Sequence, residues 1–486
     1  MRKLNRRKFL VLSASSAGAV LLSQCGRGQS QESNNSPISR APVYTSQNNL
    51  LELDLEASSR PVQLGTQQAN LLTYNGQVPA PRLEAKPGDK VRINFTNNLA
   101  ESTNLHYHGL HIPPTGNADN VFLQIASGEN FTYEFEIPLN HPAGTFWYHP
   151  HLHGLVAEQL FGGLAGLFIV RGELDEIPEI KAAKEEFLVL QDFALDEAGK
   201  PLASAQMSIM TGREGNILTV SGQTNPRFAI PKNGLVRWRI LNASPSRFYQ
   251  LSLENHPFYL IATDGGALEK PVEMSELLLT PGERVEVLIR GDGEPGEYRL
   301  LNLPYDRGGM GMMGGGMMRG MRGSRRSRET PMVLATMSYD GAVEPISLPQ
   351  NLSTIEVLPE SQQVRRFQLN HGMTPGMGMT FLINGQPYQG DVIQTQAKLN
   401  TVEDWEISNT GVMDHPFHVH INPFQVISRN GQPEPYRSWK DTVLVRTGET
   451  VRIRIPFRDF TGKTVYHCHI LDHEDLGMMG NLVIDS

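Results

Sequence analysis

Apolar and polar residues alternate in short segments along most of the chain, and turns rich in glycine and proline separate these segments. Alternation with a period of two is typical of strands that bury one face. No long segment shows the helical period. The pattern therefore predicts an all-β protein whose strands are joined by tight turns.

One strand pattern recurs three times at an interval of about 150 residues. Each copy opens with an alternating strand that ends on asparagine and closes with further strands. The opening strands lie at residues 87–99, 232–244 and 399–411, and the closing strands at 128–138, 281–301 and 447–469. Repeats built from short strands are typical of β-sandwiches. We predict three consecutive sandwiches, near residues 46–172, 173–350 and 351–486.

The composition excludes several classes of function. The chain has 486 residues, 39% of them hydrophobic, which is ample for buried cores. Lys and Arg number 43 against 51 Asp and Glu, so the net charge of −8 offers no basic footprint for nucleic acid. Cysteine occurs only as Cys25 and Cys468. A four-cysteine zinc site and a cysteine-ligated iron–sulfur cluster are therefore excluded.

The N-terminus has the features of an export signal. Arg6, Arg7 and the residues that follow resemble the twin-arginine consensus, and a mildly apolar stretch continues to Leu22. That stretch is too short to span a membrane as a helix. We predict that residues 1–24 are a signal read by the twin-arginine export machinery and that residues 25–45 are a flexible tether. Cys25 is a candidate for a lipid anchor, although Gln24 stands where a small residue is usual. The export signal predicts that the protein lies in the periplasm or cell envelope, either free or anchored through this lipid.

One segment departs from the strand pattern. Residues 307–328 hold six methionines and six arginines among glycine and serine. Glycine has no side chain to bury and arginine requires water, so this segment cannot form a core. We predict an exposed insertion late in the second sandwich.

Ten of the fifteen histidines fall into four clusters. Residues i and i+2 of a strand point to the same face, so each His-X-His presents two imidazoles side by side. Four such pairs give eight imidazoles, too many for one metal ion but suitable for three. The clusters are His106 and His108; His149 and His151; His415, His418 and His420; and His467, His469 and His473.

Cys468 lies between His467 and His469, so its side chain points to the opposite face of the strand. His415 precedes His418 by three residues and can also point away from the eight imidazoles. His415, Cys468 and His473 then supply two imidazoles and a thiolate, with Met478 as a weak axial ligand. This set is typical of a blue-copper electron-transfer site and fits no structural zinc pattern.

The four clusters resemble the signature of the multicopper oxidases, and the resemblance covers nearly the whole chain after the tether. It implies three cupredoxin-like domains and four copper ions, one of type 1, one of type 2 and two of type 3. The implied ligands are His415, Cys468, His473 and Met478 for type 1; His106 and His418 for type 2; His108, His149 and His469 for one type 3 ion; and His151, His420 and His467 for the other.

The resemblance also implies a reaction. Four one-electron oxidations at the type 1 site are coupled to reduction of dioxygen to two waters at the other three ions. Cys468 is covalently continuous with His467 and His469, so we expect it to carry electrons between the sites. Asp119 and Glu474 resemble the family's acidic residues beside the type 2 and type 3 ions, and we expect both to relay protons.

The remaining histidines have no ligand position in this pattern. We expect loop or packing roles for His111, His141 and His256, and no metal for His153. His371 lies in a methionine-rich stretch that can approach the type 1 site, and its role is left open.

The electron donor is the open question. Thioethers bind Cu(I) well and Cu(II) poorly, so the methionine-rich insertion favours cuprous ion as the substrate. The insertion resembles that of bacterial cuprous oxidases, except that its arginines would repel free copper ions. Met413 matches a substrate-side methionine of those enzymes. The candidate substrate residues are Met413, Asp414, Met310, Met312, Met313, Met317 and Met318, and Met373, Met377 and Met379 can extend the path.

We therefore expect a cuprous oxidase involved in copper tolerance. A laccase-like oxidase of phenols and aromatic amines is the alternative enzyme. A copper-sequestering protein is a non-enzymatic alternative, while a structural or division factor of this fold is disfavoured because all ligand positions are filled. A nitrite reductase is disfavoured because it needs no type 3 pair.

Overall fold

Strands dominate the fold, and they form six sheets within the computed structural model, which describes residues 41–203, 210–308, 330–374, 376 and 378–486. The sheets fall in chain order into three pairs. The prediction of an all-β protein with three consecutive cupredoxin-like domains is confirmed. Residues 1–40, with the predicted export signal and Cys25, lie outside the described part of the chain.

The first domain packs a sheet of order β1-β4-β9-β8-β6 against one of order β3-β2-β5-β7. Apolar side chains from both sheets meet in one core because alternate residues of each strand face inward. Its elements are β1 Val43–Thr45, β2 Leu50–Leu64, β3 Gln67–Tyr74, β4 Arg82–Ala85, β5 Lys90–Asn98, β6 His106–His108, β7 Asn130–Glu136, β8 Gly144–His149, α1 Val156–Phe161 and β9 Gly166–Val170.

The last three residues assigned to the tether form a strand of the first domain. Val43–Thr45 form β1, which pairs in parallel with β4, and Tyr44 packs against the first core. The residues up to 45 were grouped with the tether for their polar composition, but pairing with a neighbouring strand outweighs that local preference.

The second domain contains sheets of order β11-β10-β13-β18-β15-β16 and β12-β20-β19-β14-β17. Phe228 on one sheet contacts Trp238 on the other, with ring centroids 5.6 Å apart. Its elements follow two short helices, α2 Glu173–Glu176 and α3 Pro178–Ala182, and are β10 Lys184–Phe193, β11 Ile217–Val220, β12 Arg227–Lys232, β13 Leu235–Asn242, β14 Tyr249–Leu253, β15 Phe258–Thr263, β16 Gly266–Met274, β17 Leu277–Leu279, β18 Arg284–Arg290, β19 Glu297–Leu303 and β20 Met332–Ala342.

The third domain pairs a sheet of order β22-β21-β24-β30-β26-β27, with β28 beside β26, with a sheet of order β23-β32-β31-β25-β29. Trp405, Phe417 and Tyr466 lie in its core. Its elements are β21 Gln363–Thr374, β22 Gly378–Ile383, β23 Ile393–Lys398, β24 Thr401–Asn409, β25 His415–Val419, β26 Phe424–Arg429, β27 Gln432–Pro433, β28 Trp439–Lys440, β29 Thr442–Val445, β30 Thr450–Phe457, β31 Gly462–Cys468, α4 Leu471–Asp475 and β32 Met479–Asp485.

Helix α4 of the third domain contacts both other domains. The Asp475 carboxylate accepts hydrogen bonds from the amides of Gly154 (2.6 Å) and Ala157 (3.0 Å) at the start of α1. Asp472 accepts two bonds from the Arg213 guanidinium, at 2.9 and 2.7 Å. These contacts place the histidine-bearing ends of the first and third domains against each other. Among the described residues, we find no helix long and apolar enough to cross a membrane.

Candidate metal centre

Two pairs of strands bring the eight imidazoles together. In the first domain β6 and β8 are antiparallel neighbours, and His106 lies opposite His149. In the third domain β25 and β31 are antiparallel neighbours, and His418 lies opposite His467. The other four histidines lie two residues further along each segment. All eight are buried: His106, His108, His149, His151, His418, His420, His467 and His469.

The distances between ring nitrogens fit shared metal ions. The Nε2 atom of His467 lies 3.1 Å from Nε2 of His151 and 3.0 Å from Nε2 of His420. Ligand atoms bonded tetrahedrally at about 2.0 Å to one ion lie about 3.3 Å apart. The Nδ1 atom of His108 lies 3.5 Å from Nε2 of His149, which has the same spacing.

Several of these nitrogens have no hydrogen-bond partner. They are Nε2 of His106 and His418, Nδ1 of His420, and both ring nitrogens of His469. Buried polar atoms are nearly always paired, so this number of unpartnered ring nitrogens in one cluster fits imidazoles that bind metal ions. Burial, followed by the neighbouring imidazoles, holds the pKa of His106 well below its usual value. The ring is therefore neutral, which is the form that binds a metal ion.

A second site lies on the other side of β31. The Cys468 sulfur is 3.4 Å from Nδ1 of His415 and 3.8 Å from Nδ1 of His473, and those two nitrogens are 3.3 Å apart. Met478 is buried in the same apolar core as Cys468, and its carbonyl accepts a hydrogen bond from the Cys468 amide. Burial raises the pKa of the Cys468 thiol, so a thiolate here requires a bound cation. The donor set fits copper.

The two acidic residues predicted at the centre have different surroundings. Asp119 accepts from Nδ1 of His106 at 2.9 Å and from the amide of Tyr107 at 2.7 Å, so it orients the ring of a candidate ligand directly. Glu474 lies about 4 Å from the nearest nitrogens, 4.0 Å from Nδ1 of His151 and 3.9 Å from Nδ1 of His467. Its carboxyl oxygens are buried without a hydrogen-bond partner, which leaves Glu474 available for proton exchange through water.

The candidate substrate residues differ in burial, and some lie outside the described part of the chain. Met413 and Asp414 are buried directly before His415, and Asp414 accepts bonds from the Tyr305 hydroxyl (2.7 Å) and the Thr447 amide (2.8 Å). Met373 is 74% exposed on the hairpin of β21 and β22. Five methionines of the insertion (Met310, Met312, Met313, Met317 and Met318) and Met377 lie outside the described residues.

The start of the predicted insertion is part of the folded domain. Arg307 was expected to be exposed, but it is buried, donates to the carbonyls of Ser246 and Thr211, and pairs with Glu214 at 2.9 Å. The sequence pattern grouped Arg307 with the other arginines, whereas buried carbonyls and a carboxylate satisfy its charge. Gly308 forms a bridge with Met413, two residues before His415. The described chain therefore ends, before the insertion, close to the site of His415, Cys468 and His473, which we call the mononuclear site.

The other histidines have ordinary partners. His111, His141 and His256 are hydrogen-bonded to the carbonyls of Ile421 (2.7 Å), Pro142 (2.9 Å) and Glu254 (2.8 Å), respectively. The imidazole of His153 is about one-third exposed, and its Nδ1 lies 3.9 Å from the Glu474 carboxyl. His371 lies near His415 and contributes to the low pKa of that ring, which burial sets at about 3.

Sequence reasoning missed side chains that contact the candidate ligands. Trp147 stacks on His149 with centroids 4.1 Å apart, and Phe381 stacks on His473 at 3.7 Å. Asp441 accepts a hydrogen bond from Nε2 of His108 at 3.0 Å, and Arg284 of the second domain binds Asp441. Trp147 could have been suspected from its place next to the His149 cluster. No spacing rule points to the other three.

Comparison with known proteins agrees with the geometry. Family models described as multicopper oxidase match residues 57–175, 184–342 and 350–486. The multicopper oxidase mco of Staphylococcus epidermidis is 32% identical over 436 residues, covering 86% of this chain and 85% of that protein. The cell division protein FtsP of Photorhabdus laumondii subsp. laumondii is 30% identical over 437 residues and covers 86% of each. A solved multicopper oxidase from Campylobacter jejuni, described as a metallo-oxidase, is 35% identical with a TM-score of 0.80, covering 92% of this chain and 94% of its own. This chain belongs to the multicopper oxidase family.

Proposed function

We propose that this protein is a cuprous oxidase that couples four one-electron oxidations of Cu(I) to the reduction of dioxygen to water, and that it contributes to copper tolerance. Four bound copper ions would supply the one-electron storage that this reaction needs. Two of the ligand sets proposed from sequence support this role, because their ligand atoms lie within 4.8 Å of one another: His151, His420 and His467, and His415, Cys468 and His473. Membership of the multicopper oxidase family supports the oxidase chemistry, whereas Cu(I) as the substrate is our inference.

The observation that carries the choice of substrate is the junction at Met413. This buried thioether lies two residues before His415, and Gly308 pairs with it immediately before the methionine-rich insertion. The last described residue before the insertion therefore pairs two residues from a proposed type 1 ligand, and soft sulfur ligands such as methionine bind Cu(I) well. The Asp414 carboxylate lies at the same point and adds a negative charge that attracts a cation.

The backbone around Cys468 supplies the route for electrons. His467 and His469 are its covalent neighbours and belong to the imidazole cluster, while the Cys468 sulfur contacts His415 and His473. A path through a few covalent bonds joins the two sites without a gap through space. Cys468 is also the only cysteine in the described part of the chain.

The similarity to FtsP supplies a non-enzymatic alternative, because that relative is described as a cell division protein. A protein that serves only as a structural factor has no need of paired imidazoles and a buried thiol. In this chain every proposed histidine and cysteine ligand is buried within a cluster. We therefore favour an oxidase over a structural factor.

Deleting residues 309–329 tests the choice of substrate, with Arg307 and Gly308 retained because they belong to the folded domain. We expect kcat/KM for Cu(I) to fall at least about tenfold, about 1.4 kcal/mol of transition-state stabilisation. Activity on a bulky phenol should stay the same or rise, since the deletion removes no residue of the proposed mononuclear site. A variant with leucine in place of each methionine of the insertion separates the thioethers from the loop itself.

A laccase would give the opposite result, with phenol oxidation lost and Cu(I) oxidation retained. A copper-sequestering protein would bind copper but consume no dioxygen in proportion to Cu(I).

Mass measurement of the exported protein tests the proposed removal of residues 1–24 and the lipid on Cys25.

A further inference from the structure

One residue of the third domain binds two imidazoles that the ligand assignment places on different copper ions. His108 and His418 stack with ring centroids 3.9 Å apart. The Asp441 side chain accepts a bond from Nε2 of His108 at 3.0 Å, and the Asp441 backbone carbonyl accepts one from Nδ1 of His418 at 2.8 Å. Asp441 therefore spans the edge of the stacked pair.

These bonds decide which nitrogen of each ring is free. A neutral imidazole carries one N–H, and an acceptor on one nitrogen leaves the other with a lone pair. The acceptor on Nε2 of His108 leaves Nδ1 facing His149, whereas the acceptor on Nδ1 of His418 leaves Nε2 unpartnered in the cluster. His108 thus presents the opposite nitrogen from His418, and the Asp441 side chain is the nearer acceptor on Nε2 of His108, at 3.0 Å against 3.4 Å for the Thr442 hydroxyl.

Arg284 of the second domain fixes Asp441. Its guanidinium has five N–H donors, and five acceptors surround it: the Asp441 carboxylate at 2.8 and 2.6 Å, and the carbonyls of Thr145 (3.0 Å), Gly282 (3.1 Å) and Asp264 (2.9 Å). Thr145 belongs to the first domain and Asp441 to the third. Arg284 is fully buried where the three domains meet.

The charge of Arg284 favours an ionised acceptor. Its guanidinium binds both oxygens of the Asp441 carboxylate, so a positive charge lies directly against that group. An ionised carboxylate is a stronger acceptor for the His108 N–H than a neutral group. The fork of Arg284 leaves the carboxylate little freedom to rotate away.

We propose that Asp441, held by Arg284, is a positioning residue that sets the tautomer and orientation of His108, so that the second domain, to which we assign no copper ligand, controls a type 3 site. The inference rests on the ligand assignment proposed above. Replacing the Asp441 side chain should affect His108 while His418 keeps its bond to the backbone carbonyl. Loss of copper should therefore be selective for the type 3 pair.

Asp441→Asn tests this proposal in the copper-loaded protein. Asn keeps the size of the side chain but removes its charge, and outer partners of metal ligands are worth about 10- to 100-fold in metal affinity. We expect a Cu(I) chelator to remove type 3 copper from the variant at about 10- to 100-fold lower free chelator than from the parent. The blue absorption of type 1 copper should be unchanged, which also reports that the variant is folded.

The chain offers a matched control. Asp404 is buried in the third domain and binds Arg454 through two bonds, at 2.7 and 3.0 Å, but its side chain forms no hydrogen bond to a histidine. Asp404→Asn therefore removes a buried Arg–Asp pair without touching the centre. Equal copper retention in the Asp404 and Asp441 variants would overturn the proposal. If the unchanged protein itself binds no copper at the imidazoles, the proposed function fails instead.

Two further measurements address the cause. Nitrogen NMR of histidine-labelled, copper-free protein should place the His108 proton on Nε2 in the parent. In Asp441→Asn we expect a mixture of the Nε2–H and Nδ1–H tautomers. An unchanged spectrum would overturn the tautomer argument. Arg284→Lys keeps the positive charge but loses the paired guanidinium bonds to the two Asp441 oxygens, and we expect it to weaken the binding of type 3 copper as well. Unchanged copper binding in this variant would contradict the proposed role of the second domain. Should that variant be insoluble, Asp441→Asn, which keeps the three carbonyl bonds of Arg284, decides the proposal.

Discussion

Glu474→Gln is the sharpest test of how protons reach the imidazole cluster. Glu474 is fully buried, and burial raises its pKa well above the usual value, which favours the protonated form that can donate a proton. Its carboxyl oxygens lie 3.9 to 4.0 Å from the Nδ1 atoms of His151, His153 and His467. These distances are too long for direct hydrogen bonds but suit transfer through water.

The size of the effect follows from that geometry. Positioned acids and bases contribute about 10²- to 10⁴-fold to a rate. Because Glu474 has no direct contact with the imidazoles, we expect the lower end, about 10²-fold, or about 2.7 kcal/mol of activation free energy. The variant keeps the shape of the side chain, so copper binding and the mononuclear site should be unaffected.

Rapid mixing separates the two halves of the reaction. Donor is added without oxygen to follow loss of the blue absorption, and the reduced protein is then mixed with oxygenated buffer to follow its return. We expect reduction to be unchanged and reoxidation to be slowed. Glu403→Gln is the control, since Glu403 is a buried carboxylate of the same domain that binds Arg365 and Trp405. Equal slowing of both steps, or of neither, would refute a proton role for Glu474.

Three further predictions follow from the same contacts. Cys468→Ser should abolish dioxygen uptake with any donor while the imidazole cluster keeps its copper, and retained turnover would refute the electron path. Gly282→Ala should weaken type 3 copper, measured by chelator titration, because a Cβ there would lie 2.8 Å from Cδ2 and Nε2 of His469 and the residue has φ +85°; copper retention equal to the parent would contradict this close approach. In copper-free protein, stability measured by urea unfolding should fall as pH drops below about 6.5. Burial lowers the pKa of His151 and His415 to about 3, so the unfolded chain binds protons that the folded one refuses, at about 1.4 kcal/mol per pH unit for each ring. Burial raises the pKa of Asp119 to about 8, so this carboxyl stabilises the fold on acidification instead. Buried imidazoles with a lowered pKa outnumber buried carboxyls with a raised pKa in the described chain, so the imidazoles should dominate. A free energy of unfolding that rises on acidification would refute this expectation.

The sequence by itself determined the features that depend on local periodicity. A strand alternates its side chains with a period of two, so His-X-His had to present paired imidazoles and Cys468 had to face away from its neighbours. The same rule predicted the sandwich domains. Neither conclusion requires knowledge of which strands are neighbours in space.

The tertiary structure decided everything that depends on residues far apart in the chain. Asp441 and Arg284 are 157 positions apart and meet only because three domains share one junction. Arg307 looked like part of an exposed run, yet carbonyls brought in from elsewhere satisfy it. The sequence predicted the same role for both acidic residues, but Asp119 is bonded directly to a candidate ligand, His106, whereas Glu474 lies 3.9 Å from Nδ1 of His467. Spacing along a strand fixes the direction of a side chain, whereas its partners, and therefore its proton and charge, are set by the packing of distant segments.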